Sequence, residues 1–405
     1  MNQRVLITLG AAGGIIYMMP YIRYIAYDWM REAFALNNKE LGILSTVYSL
    51  VNALLYIPGG LIADRFSPKK CIVLSLAATS CINFILAFML YERMIIPFAL
   101  VICIWFCYSI TTAFVFWPAL VLVIRGGNEQ NQGLRFGIYY MANGLASAVL
   151  AISGLRIAHC LEDANHAFFS LVLTIAAALA ALTVLAALVL PAPERRSPQL
   201  MRVSYSGSAC AGWLLRNKGL WSLAFIMFAA YALYVSISYF TPWLVQTAHI
   251  TCEQSAYIAL VRSYACYAIT PLSGLAADRL FRSRCNYFAI LFALAAVLLA
   301  VLMLVQTQAT PALLIAFSLL IGLIVVMLHG VVFSLAGEVG IPDELMGTAA
   351  GMVSIAAFTP DFFLEALYGQ WLDTTAPSAA YRRIFILLVA IALSGAAASF
   401  FARKK

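Results

Sequence analysis

Charge is what this 405-residue chain has least of. Asp, Glu, Lys and Arg make up 10% of it, against roughly 25% in an ordinary globular domain. With 64% hydrophobic residues, a soluble domain of this size could not cover its apolar surface. Lipid must therefore serve as part of its solvent. Signatures of chemistry are missing too. The chain has no Gly-x-x-x-x-Gly-Lys-Ser/Thr loop, so ATP hydrolysis through a P-loop is excluded. It has no HExxH, no GxSxG and no CxxCH, which leaves no familiar hydrolase, metalloprotease or haem reading. The nine cysteines show no CxxC or metal-ligand spacing, so they read as small apolar residues rather than a disulfide framework. Neither a cofactor nor a metal is expected, and the chain is not expected to be an enzyme. The net charge of +8 does not point to nucleic acid, because the basic residues form no single patch.

What the chain does have is long apolar runs. A hydrocarbon core needs roughly 20 apolar residues per spanning helix, and twelve such runs stand out. Six lie at 5–28, 41–61, 71–91, 95–124, 137–158 and 167–190, and six more at 219–246, 255–275, 286–306, 312–336, 347–371 and 381–402. The stretch between the two sets, with Pro191, Pro193, Arg195, Arg196 and Pro198, reads as a linker. The expected fold is an all-α integral membrane protein of twelve transmembrane helices in two six-helix bundles, 1–190 and 219–405, joined by a cytoplasmic linker at 191–218.

Lys and Arg fix an expected orientation. With the N-terminus inside, 17 of the 25 basic residues fall on cytoplasmic segments and 6 on outer loops. Arg23 and Arg262 remain within helices. Both termini are thus expected in the cytoplasm.

An internal repeat accompanies this layout. Gly60-Leu61-Ile62-Ala63-Asp64-Arg65 after the second run recurs as Gly274-Leu275-Ala276-Ala277-Asp278-Arg279 after the eighth, an offset of 214 residues (274 less 60). Gly137 and Gly351 keep the same register, and Glu129 with Gly133 finds approximate partners in Glu344 and Gly347. Two parallel six-helix repeats are the plan of one kind of secondary transporter.

These residues resemble the major facilitator superfamily. Gly60 to Lys70 is similar to that family's loop signature between helices two and three, and Gly274 to Arg284 is similar to its second copy. Ser67-Pro68 departs from the pattern, since many members have glycine there. The tyrosine-rich first helix, Trp117-Pro118 and Thr359-Pro360-Asp361 look like a bacterial branch whose layout is similar to organic-anion and organophosphate porters. The antiporter-like arginine motif of the fourth helix is absent. The resemblance implies the transporter fold and a monomer working by alternating access. It also implies that helices 1, 4, 7 and 10 line a cavity, helices 2, 5, 8 and 11 gate it, and helices 3, 6, 9 and 12 face lipid. Gly60, Asp64, Arg65, Gly274, Asp278 and Arg279 would form the gate. Physically, a carboxylate ending its helix near the inner surface can face helix N-termini and arginines, and a contact made in only one state biases the equilibrium. The plainer reading is that these charges mark the membrane boundary.

The repeat also filters for function, because ionisable groups inside a membrane are costly. Arg23, Arg262, His329, Asp361 and Glu365 each face an uncharged residue at the repeat offset: Ile237, Tyr48, Val115, Ser147 and Ala151. The runs 71–91, 167–190 and 286–306 carry no charge. Arg262 lies about 10 Å below the outer end of its helix and Glu365 about 9 Å below the end of its own, with Asp361 one turn deeper on the same face. A pair between Arg262 and either carboxylate is expected from this. Two carboxylates on one face suit a proton carrier, though a structural ion pair would place them equally well. His329 is a candidate proton relay or a core histidine. Arg23 could contact solute or snorkel to headgroups. Tyr21, Tyr24, Trp117, Asn52 and Asn143 are candidate polar wall residues, with Tyr17, Tyr21 and Tyr24 on one helical stripe. Because guanidinium binds carboxylate and phosphate bidentately, the expected solute is a small organic anion (a carboxylate, sugar acid or organophosphate), with a proton or counter-ion as the second partner. The alternative is a neutral or cationic compound that meets Asp361.

Overall fold

The computed structural model describes residues 3–125, 131–159, 161, 163–191, 216–263, 265–306, 308–338 and 346–402. Most of the expected linker, with Arg195 and Arg196, lies outside these residues, as do Glu129 and Glu344. All the regular structure described is helical, as a bilayer interior demands of a chain that must satisfy its own backbone.

Twelve spans account for it. Span α1 comprises Gln3–Ile16 and Arg23–Ala33, α2 is Asn38–Arg65, α3 is Pro68–Tyr91, and α4 is Phe98–Arg125. Spans α5 and α6 are Gln132–His159 and Ala164–Val189, and α7 is Lys218–Thr247. Span α8 is built from Cys252–Ser263, Ala265–Ile269 and Thr270–Arg279, α9 is Arg284–Val305, and α10 is Pro311–Gly337. Span α11 comprises Met346–Ala357 and Pro360–Thr374, and α12 is Pro377–Phe401. Nine of these are long and apolar enough to cross a membrane as they stand, and the segments Gln3–Ile16 and Glu40–Tyr56 are shorter apolar helices.

Local chemistry sets the boundaries. Asn37 and Glu40 form a reciprocal capping box at the start of α2, satisfying two orphan N–H groups. Asn217, Ser283 and Thr310 cap α7, α9 and α10 with their side chains. Pro68, Pro311 and Pro377 open α3, α10 and α12, where a missing N–H costs nothing.

The expected unbroken first helix is corrected. Residues 17–22 leave the helix, because Pro20 has no N–H to continue the ladder. The Pro20 carbonyl instead accepts from the Trp105 indole at 3.3 Å. Tyr17 and Tyr21 therefore sit in the break and not on a continuous helical stripe. Span α4 is interrupted as well: Ile110–Phe116 winds as a π-helix.

Two compact units divide the chain. The first is Met1–Gly126, Ala142–Ala211 and Asp343–Met352; the second is Gly127–Met141, Gly212–Pro342 and Val353–Lys405. Each is organised around the same pairing, α3 against α6 in the first and α9 against α12 in the second. These four spans also present large bare apolar side chains, among them Leu74, Leu188, Leu304 and Leu393. Such exposure suits lipid contact.

Candidate functional site

In the second unit, Arg262 is 1% exposed. Its Nη1 donates to Ser318 Oγ on α10 at 2.7 Å, and its Nη2 to Thr241 Oγ1 on α7 at 2.8 Å. The guanidinium lies 5.8 Å from the Phe240 ring centroid. Gly322 makes room for the stem, since a Cβ there would collide with Arg262 Cγ and Cδ. The buried Nε has no acceptor. The expected pair with Asp361 is corrected, since that carboxylate bonds Tyr231, while the Glu365 side chain lies outside the described residues; the described partners of the cation are hydroxyls. They solvate it without cancelling its charge, and an uncompensated charge in a low-dielectric interior is expensive.

Asp361 opens the second segment of α11, and its Oδ2 accepts from the Tyr231 hydroxyl of α7 at 2.8 Å. Tyr231 also faces Phe358 edge-on at 4.7 Å and approaches the His329 ring at 6.0 Å. His329 of α10 stacks on Tyr234, with centroids 4.2 Å apart and planes at 8°. Tyr140 meets the imidazole at 5.1 Å, and the Tyr267 hydroxyl lies 3.4 Å from Nδ1. Four tyrosines from α5, α7 and α8 thus surround one imidazole, with a carboxylate one tyrosine away. Tyrosine faces carry the negative side of the ring quadrupole, which attracts a cation.

One end of this unit carries the repeated motif. Asp278 Oδ1 and Oδ2 accept from the backbone N–H groups of Gly133 and Leu134 at 3.0 and 2.8 Å. Asp278 Oδ1 also accepts from Arg284 Nε at 2.8 Å. A carboxylate on the first N–H groups of α5 satisfies orphan donors and meets the positive end of the helix dipole. Gly274 lies so close to Gly133 that a Cβ would overlap its carbonyl. Glu338 caps α9 through Ser283 Oγ at 2.7 Å and Arg284 N at 2.8 Å, and Arg284 Nη1 reaches the Ser334 carbonyl at 3.2 Å. A cavity of about 410 Å³ is bordered here by Asn131, Asp278, Arg282, Arg284 and Glu338. Arg279 points outward, exposed.

The first unit has a different interior. Tyr17 donates to the Thr112 carbonyl at 3.4 Å, and Tyr48 shares a 2.8 Å bond with Thr112 Oγ1. Tyr21 meets Tyr48 edge-on at 5.5 Å. Asn143 turns its backbone carbonyl to Gly14, and Trp117 is buried at the end of the π turn. Arg23 begins the second segment of α1 and is half-buried. Gly60 is buried and Arg65 exposed. The side chains of Tyr24, Asp64 and Glu365 lie outside the described residues.

Sequence reasoning missed Tyr140, Tyr231, Tyr234 and Tyr267, together with Ser318, Thr241, Arg284 and Glu338. The filter for unrepeated charge was blind to neutral partners. It discards Tyr231 in particular, because Tyr17 stands at its repeat position (231 less 214).

Comparison with known proteins agrees with this architecture. The family model for the Major Facilitator Superfamily matches residues 7–360. Inner membrane protein YihN of Escherichia coli K12 is 25% identical over 396 residues, covering 96% of this chain and 93% of its own. Inner membrane protein YqcE of the same organism is 24% identical over 385 residues, with 93% and 88% covered. In structure, the transporter FucP in its outward conformation superposes with a TM-score of 0.73 at 16% identity, covering 100% of this chain and 99% of that one. A single-substitution variant of FucP, described as the E. coli fucose:proton symporter, gives 0.71 at 16% identity, covering 100% and 98%.

Proposed function

The chain belongs to the Major Facilitator Superfamily of secondary transporters, and from that premise we propose that it moves a small organic anion by alternating access, coupled to a proton. The observation that carries the anion reading is Arg262, buried to 1% and met by two hydroxyls where a counter-ion would be expected. A carboxylate, sugar-acid carboxyl or phosphate supplies the missing charge. Arg23 is the second proposed solute contact, with Tyr21, Tyr24, Trp117 and Asn143 as neutral contacts.

Asp361, His329 and Glu365 are the proposed proton carriers. Proximity through Tyr231 supports the first two. Asp278 is the proposed latch, since its bonds to Gly133, Leu134 and Arg284 are of the kind that one gating state makes and another breaks. Gly60, Asp64, Arg65, Gly274 and Arg279 complete that gate. We place the protein in a bacterial inner membrane as a monomer with both termini cytoplasmic, with bundles 1–190 and 219–405 joined by 191–218. The basic-residue asymmetry and the relatives' names support this placement.

A second reading is favoured by the tyrosine cage: a cationic or neutral solute that meets Asp361 and the aromatic faces. Uptake into proteoliposomes separates the two. Under the anion reading, Arg262→Gln abolishes uptake of an anion panel, and Asp361→Asn abolishes only its acceleration by an inward proton gradient. Anion affinity that survives Arg262→Gln in a folded protein transfers the assignment to Asp361.

A further inference from the structure

The first unit holds a hydrogen-bond chain with a definite direction. Thr112 Oγ1 donates to the Tyr108 carbonyl at 2.7 Å, so its proton is committed. In the 2.8 Å bond between Tyr48 and Thr112, Tyr48 must then be the donor. Asn52 follows Tyr48 by one turn on the same face of α2. Its Oδ1 is without a partner, and the residue is 5% exposed. Neighbouring donors are spent: the Tyr17 hydroxyl on the Thr112 carbonyl, Ser109 on the Tyr48 and Trp105 carbonyls, and Thr111 on Tyr108.

A second observation sets this acceptor apart from an ordinary packing defect. Spans α1, α2 and α4 converge through Tyr17, Tyr48 and Thr112 on the π-helix Ile110–Phe116, a form of winding that concentrates at functional sites. Gly59 lets α2 reach the same turn, since a Cβ there would overlap the Phe114 carbonyl. A buried amide oxygen with no donor keeps its desolvation cost uncompensated. Such a cost is recovered in a state where a donor arrives.

We infer that Asn52 Oδ1, one helical turn from the Tyr48–Thr112 pair, is a subsite for a hydroxyl group of the transported solute, which makes that solute a hydroxylated compound. The subsite rests on the transporter reading and is independent of the charge assigned to the solute. The groups named here are neutral: hydroxyls, one amide and backbone carbonyls suit a polyol carbon chain and give no advantage to a bare alkyl acid.

The test is thermal stabilisation of the full-length, detergent-purified protein by three matched series. These are glycerate, erythronate and gluconate; the deoxygenated acids of equal chain length; and the corresponding neutral polyols. Hydroxylated members should bind at least about tenfold tighter than their deoxygenated partners, the worth of one good hydrogen bond. Asn52→Leu, of the same branched shape, should erase that preference while leaving affinity for the alkyl acids unchanged. Asn52→Ser supplies a shorter hydroxyl acceptor should the leucine variant fold poorly, and it should retain part of the preference. Binding of hydroxylated acids and polyols alike, both dependent on Asn52, keeps the subsite and overturns the anion reading. Equal binding of acids with and without hydroxyls, unaffected by Asn52→Leu, overturns the subsite and keeps the anion reading. Stabilisation by no member of any series overturns the subsite.

Discussion

Tyr48 and Arg262 occupy the same position in the two repeats, and each is 1% exposed. Each reaches a hydroxyl on a neighbouring span, Thr112 for the tyrosine and Ser318 for the arginine. The backbone plan and the burial are alike; only the charge differs. Tyr17 and Tyr231 repeat the lesson, because both are hydrogen-bond donors. One gives its proton to a backbone carbonyl and the other to the Asp361 carboxylate. At these two positions the first unit uses neutral groups. The second keeps ionisable groups in equivalent places. A duplicated scaffold can hold hydrogen-bond recognition in one copy and charge in the other without altering its helices.

That contrast can be broken in order of size. Arg262→Gln should weaken binding of anions by about a hundredfold, near 3 kcal/mol for a charged contact. It should not lower Tm, because the residue removed is an uncompensated buried charge. Tyr48→Phe at the twin position should do the reverse, lowering Tm with no charge preference lost; thermal shift with and without anion reads both. Next comes Gly274→Val. Overpacking against the Gly133 backbone should cost about 1–3 kcal/mol, seen as a lower Tm, and should raise labelling of cysteines placed at the Arg279 end of α8.

The tyrosine twins give a finer test. Tyr231→Phe takes a donor from a charged acceptor and should cost about 1.5–3 kcal/mol, whereas Tyr17→Phe removes a longer neutral bond and should cost about 1 kcal/mol or less. Equal Tm losses would show that the Asp361 contact is no stronger than its neutral counterpart. The smallest effect lies on the surface of the first unit, where Asp163 bonds His166 at 2.7 Å and Arg93 at 2.8 Å. Desolvation pushes the Asp163 carboxyl upward, but the His166 bond and the Arg93 charge outweigh it and hold it below its ordinary value. A depressed carboxyl stabilises the fold above the unfolded-state value of about 3.9 and ceases to do so as pH falls through the native one. Asp163→Asn should therefore match the wild type in acid and fall slightly behind it near neutrality, as Tm against pH would reveal.

The twelve spans and the repeat were legible in the sequence because hydropathy and a fixed offset survive without knowledge of tertiary contacts. Asp278 was singled out for the kinds of neighbour it has, a helix N-terminus and an arginine. Arg262 was found, but its partners were not. Depth along a helix is countable, whereas the azimuth at which Ser318 and Thr241 meet the guanidinium depends on packing of α7, α8 and α10. The His329 cage was invisible for a related reason. Its tyrosines come from three spans far apart in sequence, and none carries a charge to draw notice. The break at 17–22 was announced by Pro20. The π-helix in α4 was not, since Ile110–Phe116 contains neither proline nor glycine.

That wide turn has a mechanical consequence. A π-helix is an α-helix with surplus chain wound into it, and the surplus can travel. When it shifts by one residue, the side chain it passes turns by about 100° around the axis, while the rest of the helix keeps its place. A span so built can exchange the face it offers at Thr111 and Thr112 as a screw thread advances in its nut, with neither end of α4 moving.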